Sequence, residues 1–221
     1  MEQGPSFWSL LDTNEQHSLE EIANRRTYPR GSVVYHRGDD AASVLVLLDG
    51  RVKITAPTAD GHEAVLAFRG PGDLVGELAA VDGRQRAASV SALEPVTALV
   101  CAGTHFRALL KAEPAVGVAL LQIVVGRLRG ADDERAEYGA HDVLGRVARR
   151  LCELAERFGS EQDGEIEITL PLTQEELAGW CGASREAVSK ALTTMRNLGW
   201  IETRRRVVVI TDVDALRTYA A

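Results

Sequence analysis

Thr173-Gln174-Glu175-Glu176-Leu177-Ala178-Gly179-Trp180-Cys181-Gly182-Ala183-Ser184-Arg185-Glu186-Ala187-Val188-Ser189-Lys190-Ala191-Leu192 reads as two short helices joined by a turn. Thr173 with Glu176 three residues on is a capping box, Leu172 sits at the staple position, and Gly182 suits the left-handed residue that ends a helix. Ser184 caps the next helix, expected over residues 185–198 and ended by Gly199. Leu177, Val188 and Leu192 are spaced to lock the crossing of the pair, which makes a helix-turn-helix. In such a unit the second helix enters a DNA major groove N-terminus first. Its leading polar residues are Ser184, Arg185, Glu186, Ser189 and Lys190. Arginine bonds guanine O6 and N7 bidentately, glutamate accepts from cytosine N4, and a lysine one turn on reaches another guanine or a phosphate. The competing reading is a solvated helical hairpin.

Downstream, residues 201–210 read as two strands around Arg204-Arg205-Arg206, a wing placed for phosphates. From Ser184 to Arg206 there are six basic and two acidic residues, a local charge of +4. The whole chain of 221 residues carries 25 Lys plus Arg against 32 Asp plus Glu, net -7, so bulk-charge coating of nucleic acid is excluded.

Upstream, residues 141–158 read as helix, and the polar stretch from Gly159 to Gly164 precedes a short strand over 165–170. Pro114 opens a helix of some 25 residues in which Gly117, Leu121, Val124, Leu128, Ala131, Arg135 and Tyr138 step alternately by four and three. That is a seam for a partner helix or a stripe packed on its own domain. Its most apolar run, Ala115 to Val125, is too short to span a bilayer. Before it, after a helical lead-in over 19–24, apolar runs at 32–35, 43–48, 51–56, 64–68, 88–93 and 96–101 alternate with glycine-centred turns, a compact antiparallel β-rich domain. Asp49-Gly50 and Asp60-Gly61 suit tight hairpins.

Cys101, Cys152 and Cys181 make no CxxC pair, and five histidines show no ligand spacing, so a disulfide framework, an iron–sulfur cluster and a metal centre are not expected. With 45% hydrophobic and 26% charged residues, no signal-peptide pattern at the N-terminus, no nucleophile elbow and no phosphate-binding glycine loop, the expectation is a cytoplasmic, non-enzymatic protein with no membrane partner.

The motifs Gly38-Asp39, Leu48-Asp49-Gly50-Arg51-Val52-Lys53-Ile54, Pro71-Gly72-Asp73, Gly76-Glu77-Leu78 and Arg86-Ala87-Ala88, followed by the two helices quoted above, span nearly the whole chain. Together they resemble the Crp/Fnr family of bacterial transcription factors. The resemblance implies an α+β fold in three parts. These are an N-terminal antiparallel β-roll of the cyclic-nucleotide-binding, jelly-roll type over residues 1–112, a long dimerisation helix and hinge over 113–140, and a C-terminal winged helix-turn-helix over 141–221. It implies a homodimer on double-stranded DNA with a palindromic operator, and RNA polymerase as a further partner, for which the stretch from Gly159 to Gly164 is a candidate surface. Arg185 and Glu186 match the family's base-reading pair, Lys190 stands where the cyclic-AMP receptor has an arginine, and Thr173 and Gln174 join the DNA-contacting set.

The same resemblance implies an effector pocket, with cyclic AMP or cyclic GMP as its ligand. Gly76, Glu77 and Leu78 form one wall, Glu77 matching the glutamate that holds the ribose and Arg86 the arginine that pairs the cyclic phosphate. Three positions depart from the pattern. Ala87 replaces a phosphate-binding hydroxyl, while Ala131 and Asp132 replace the two hydroxyls that bond adenine. Loss of two or three hydrogen bonds at ~0.5–1.5 kcal/mol each weakens binding by about 10- to 1,000-fold. Two alternatives stay open: an effector-independent regulator with a degenerate pocket in which Glu77 and Arg86 form an internal ion pair, or an interaction dimer that does not bind DNA.

Overall fold

The computed structural model describes residues 5–40, 42–58, 63–137, 142–162, 164–169, 173–204 and 207–220, with side chains undescribed over 133–137. In chain order the elements are α1 (Thr13–Glu21), β1 (Ala23–Tyr28), β2 (Val33–Tyr35), β3 (Ser43–Asp49), β4 (Val52–Pro57), β5 (Glu63–Arg69), β6 (Leu74–Val75), α2 (Glu77–Asp82), β7 (Ser89–Ala92), β8 (Val96–Ala102), α3 (Gly103–Ala112) and α4 (Pro114–Glu137). Then follow α5 (Val143–Phe158), β9 (Gly159–Gln162), β10 (Glu165–Ile168), α6 (Gln174–Cys181), α7 (Arg185–Asn197), β11 (Ile201–Arg204), β12 (Val207–Ile210) and α8 (Val213–Ala220). The chain divides into two compact units, one of residues 2–57 and 66–131, the other of 132–221 with 58–65.

In the first unit two four-stranded sheets form, in the orders β1-β8-β3-β6 and β2-β7-β4-β5. Strand β3 is the hinge of the core. Successive side chains point to opposite faces of a strand, and here both faces are covered. Leu45 and Leu47 join Val52, Val75, Val90, Ala92, Val96 and Ala98 in one cluster that draws on both sheets. Val44 and Val46 face the other way, into a cluster with Leu19 of α1, Phe106 and Leu109 of α3, and Val116, Ala119 and Leu120 of α4. Burial of one such leucine contributes about 1.5–3 kcal/mol.

The Asp49-Gly50 turn, expected as a hairpin, instead carries the chain from one sheet to the other, because β3 pairs with β8 and β6 while β4 pairs with β7. Gly50 has φ 77°, and a Cβ there would drive into the Pro95 carbonyl, so a side chain at this position is strained on both counts. Asp60-Gly61 lies outside the described residues. The lead-in helix runs over 13–21 rather than 19–24, capped by Asp12 with Glu15 in a capping box. Residues 23–28 are strand. Its four central residues are exposed, and it pairs in full register with β8, from Ala23 opposite Cys101 to Tyr28 opposite Val96.

In the second unit β11-β12-β10-β9 form one sheet beside α5, α6, α7 and α8. Asp142 caps α5 by accepting from the Gly145 amide at 2.8 Å. The stretch from Gly159 is a strand as far as Gln162, paired with β10, not an irregular connection. Leu172, at the staple position, lies outside the described residues.

Candidate functional site

The helix pair is built as its caps dictate. The Thr173 hydroxyl accepts from the Glu176 amide at 3.1 Å and the Thr173 amide donates to the Glu176 carboxylate at 2.8 Å, which closes the capping box at the start of α6, while the hydroxyl also donates to that carboxylate at 2.9 Å. Gly182, at φ 56°, ends that helix. The Ser184 hydroxyl accepts from the Ala187 amide at 3.2 Å and starts α7. Leu177 and Trp180 on α6 and Val188, Ala191, Leu192 and Met195 on α7 are buried. Arg146 of α5 donates from Nε to the Cys181 carbonyl at 2.8 Å, so the turn between the helices is tied to the helix beneath it.

The opposite face of α7 is open. Ser184, Arg185, Glu186 and Lys190 are exposed and Ser189 is half-buried. Gln174 is exposed at the start of α6, whereas the hydroxyl proton of Thr173 is already committed to Glu176. On the wing, Arg204 donates to Glu202 at 3.0 Å, and Arg205 and Arg206 lie outside the described residues.

In the first unit Gly76, Glu77 and Leu78 begin α2, and Arg86 approaches Gly76 from the connection to β7. Glu77 is 5% and Arg86 4% exposed. They do not pair with each other, which removes the internal ion pair left open as an alternative. Glu77 accepts from Arg127 Nη1 at 2.7 Å, and Arg127 Nη2 donates to the Leu74 carbonyl at 2.8 Å. Arg86 donates from Nη1 to the Gly76 carbonyl at 2.8 Å and from Nη2 to the Ser43 carbonyl. Its guanidinium lies 3.7 Å above the Tyr35 ring, and its Nε is buried without a hydrogen-bond partner. Gly76, at φ 85°, permits this approach, since a Cβ would come within 2.6 Å of Arg86 Nη1 and 2.8 Å of the Tyr35 ring. Burial pushes the Tyr35 phenol up to about 12, so it stays neutral and donates to Ser43. Leu78 and Ala87 are exposed, Ala131 is half-buried one turn beyond Arg127, and Asp132 is exposed.

The sequence reading missed Arg127 and Tyr35 as members of this site. Arg127 follows the apolar run of α4 with Arg129 two positions on, so the sequence does not single it out. Nothing in the local pattern marks the second.

Along α4, Leu121 and Leu128 of the expected seam stand 61% and 58% exposed, and Val118 and Val125 are exposed between them. Val124 packs instead on the core of its own unit, and Gly117 is half-buried beside the Leu110 carbonyl. The outward stripe is therefore Val118, Leu121, Val125 and Leu128, itself spaced by three and four, which keeps Leu121 and Leu128 of the expected seam and puts Val118 and Val125 in place of Gly117 and Val124. Arg135 has no described side chain, and Tyr138 lies outside the described residues. Pro114 to Asp132 is long and apolar enough by composition to cross a membrane, with mean hydropathy 1.3. The run is thus longer than Ala115 to Val125 suggested. Its inner face packs on the β-roll core and its Arg127 pairs with Glu77.

Two family models match, a cyclic nucleotide-binding domain over residues 25–113 and a Crp-like helix-turn-helix domain over 145–219. A CRP-like cAMP-activated global transcriptional regulator of Mycobacterium tuberculosis is 36% identical over 189 residues, covering 86% of this chain and 84% of its own. The chain belongs to the Crp/Fnr family of transcriptional regulators. A second Crp/Fnr relative, the cyclic AMP receptor protein of Thermus thermophilus, is 29% identical over 220 residues, covering all of this chain and 98% of its own. Among solved structures, a CRP-family transcriptional regulator from the same species superposes with a TM-score of 0.74 at 27% identity, over 88% of this chain and 96% of that one. FixK2 from Bradyrhizobium japonicum, at 22% identity and TM-score 0.79 over 90% and 98%, shares the fold. As a Crp/Fnr protein the chain is a DNA-binding transcriptional regulator with a winged helix-turn-helix, and membership implies a dimer.

Burial pushes the Cys101 and Cys152 thiols up to about 11 and Cys181 to about 12, so the nucleophilic thiolate is suppressed at neutral pH. Among the described residues no group of His, Cys, Asp or Glu is placed to hold a metal ion.

Proposed function

We propose that the protein is a cytoplasmic homodimer, without enzymatic activity, that reads a palindromic operator and is gated by an anionic effector of the cyclic-nucleotide class. Base reading falls to Arg185, Glu186 and Lys190. Ser184, Gln174 and the wing lie against the backbone. The two copies meet through Val118, Leu121, Val125 and Leu128 of α4. The domains then take the roles of sensing over 1–112, dimerisation and hinge over 113–140, and DNA binding over 141–221. RNA polymerase is the further partner of the DNA-bound dimer.

The observation that carries the effector is Arg86. It is a buried cation with no carboxylate partner among the described residues, held by two carbonyl dipoles and an aromatic face, with Nε left unbonded. Burying a charge without a counter-charge is unfavourable, and an anion at this point removes the deficit through charge-assisted bonds. Glu77 adds an acceptor for a ribose hydroxyl. Because Glu77 is bonded to Arg127 of α4, a ligand that takes up the Glu77 carboxylate changes what holds the dimerisation helix. Ala87, Ala131 and Asp132 supply none of the hydroxyls of the family pattern, so the site binds such a ligand more weakly than the full set.

The test is a calorimetric titration with cyclic AMP and then cyclic GMP. Saturable binding in the micromolar range or weaker, abolished in Arg86→Ala, is the expected result. Absence of heat from both nucleotides, alongside operator binding without any addition, overturns the gating and leaves an effector-independent regulator.

A further inference from the structure

Arg196 sits three turns along α7 from Arg185. At 100° per residue the two side chains point within about 20° of each other, with Ser189 and Thr193 on the same stripe. The stripe thus runs the length of the open face of the helix. Arg196 is exposed and bridges two elements: Nη2 donates to Thr193 Oγ1 at 2.9 Å on its own helix, and Nη1 donates to Thr203 Oγ1 at 2.8 Å on β11. Both partners are neutral hydroxyls. The cation is therefore oriented without being neutralised, unlike Arg204, whose charge is met by Glu202 at 3.0 Å. The Thr193 hydroxyl donates onward to the Ser189 carbonyl at 2.9 Å, which leaves the Thr203 O–H as an uncommitted donor next to the guanidinium.

Geometry fixes what this arrangement faces. Arg196 lies about 16 Å behind Arg185 along the helix axis. The major groove is about 12 Å wide and 8.5 Å deep, so a helix that brings Arg185 to the base edges holds Arg196 back at the sugar-phosphate wall, where the wing also lies.

We propose that Arg196, oriented by Thr193 on the recognition helix and Thr203 on the wing, is a seat for an operator phosphate. The oxygens of the phosphate accept from the guanidinium and from the Thr203 hydroxyl. The proposal rests on the DNA-reading role of α7, and it adds a contact set by two elements at once, so that it fixes how the wing is presented as well as adding charge. It carries no base information.

The experiment measures binding of the full-length protein, by fluorescence anisotropy, to a duplex enriched by that protein from a random pool, over a range of salt concentrations. Arg196→Gln is expected to lower the slope of log K against log salt by about 0.9 and to weaken binding about fivefold at 0.15 M salt, equally for enriched and mismatched duplexes. Thr203→Val, which keeps the shape and the charge, is expected to weaken binding while leaving the slope within a few tenths of wild type. An unchanged slope in Arg196→Gln overturns the seat. So does Thr203→Val that binds as tightly as wild type, since the hydroxyl would then have no part in holding the phosphate. If wild-type protein enriches no duplex at all, the seat falls together with the DNA reading, an outcome distinct from a wild type that binds and a variant that does not differ from it.

Discussion

Arg185 and Arg196 lie on one helix yet make opposite predictions, because the first is proposed to reach base edges and the second the backbone. Arg185→Ala is expected to cost about 1–3 kcal/mol against the preferred operator and to relax choice at a single base pair, measured by competition between an operator and its single-base variants. An equal loss on every sequence would contradict a base-reading role. The residue scale is also where the sequence was most legible at one site and least at the other. The caps of α6 and α7 are local, made within three residues, so Thr173, Glu176 and Ser184 announced themselves and with them the exposed set from Ser184 to Lys190. The pocket is non-local: Arg86 reaches Ser43 across 43 positions and Glu77 meets Arg127 across 50. No periodicity encodes such pairs, and the alternative of an internal Glu77–Arg86 ion pair does not hold because each has other partners.

At the scale of elements, α4 carries two apolar faces and the sequence could not divide them. Val116, Ala119, Leu120 and Val124 close the β-roll core, while Val118, Leu121, Val125 and Leu128 face outward. Changing Leu121 and Leu128 together to Asp is expected to remove about 3–6 kcal/mol per protomer from association, by the burial of two leucines on each copy, and so to yield monomers with the thermal midpoint of the β-roll little changed. Val124→Asp should instead lower that midpoint. Sedimentation and thermal unfolding of the two variants check this, and a double variant that stays dimeric would refute the outward stripe as the interface. Helices α3 and α8 were not read from the sequence, and two strands escaped it for a shared cause. Strand β1 has four exposed central residues and β9 has none buried, so neither alternates; they are strands because β8 and β10 offer unpaired edges, and context overrides the local pattern. Arg25 and Arg26 give β1 the charge expected of an edge strand.

For the whole molecule, the passage from a β-rich half to a reading head was legible because the local pattern changes along the chain: glycine-punctuated apolar runs first, then steps of three and four in α4, then capped short helices. Pairing through α4, as proposed, presents two copies of α7 to DNA. A two-fold dimer then requires two half-sites of opposite orientation about one helical turn, or ~34 Å, apart. The most direct measurement is selection of duplexes from a random pool by the purified wild-type protein, followed by footprinting of the enriched sequence with and without cyclic AMP. The account predicts an inverted repeat with half-site centres 10–10.5 bp apart, protected on both half-sites by one dimer and lost in the Leu121 and Leu128 double variant. Enrichment of a single, non-repeated site, or of none, would contradict it.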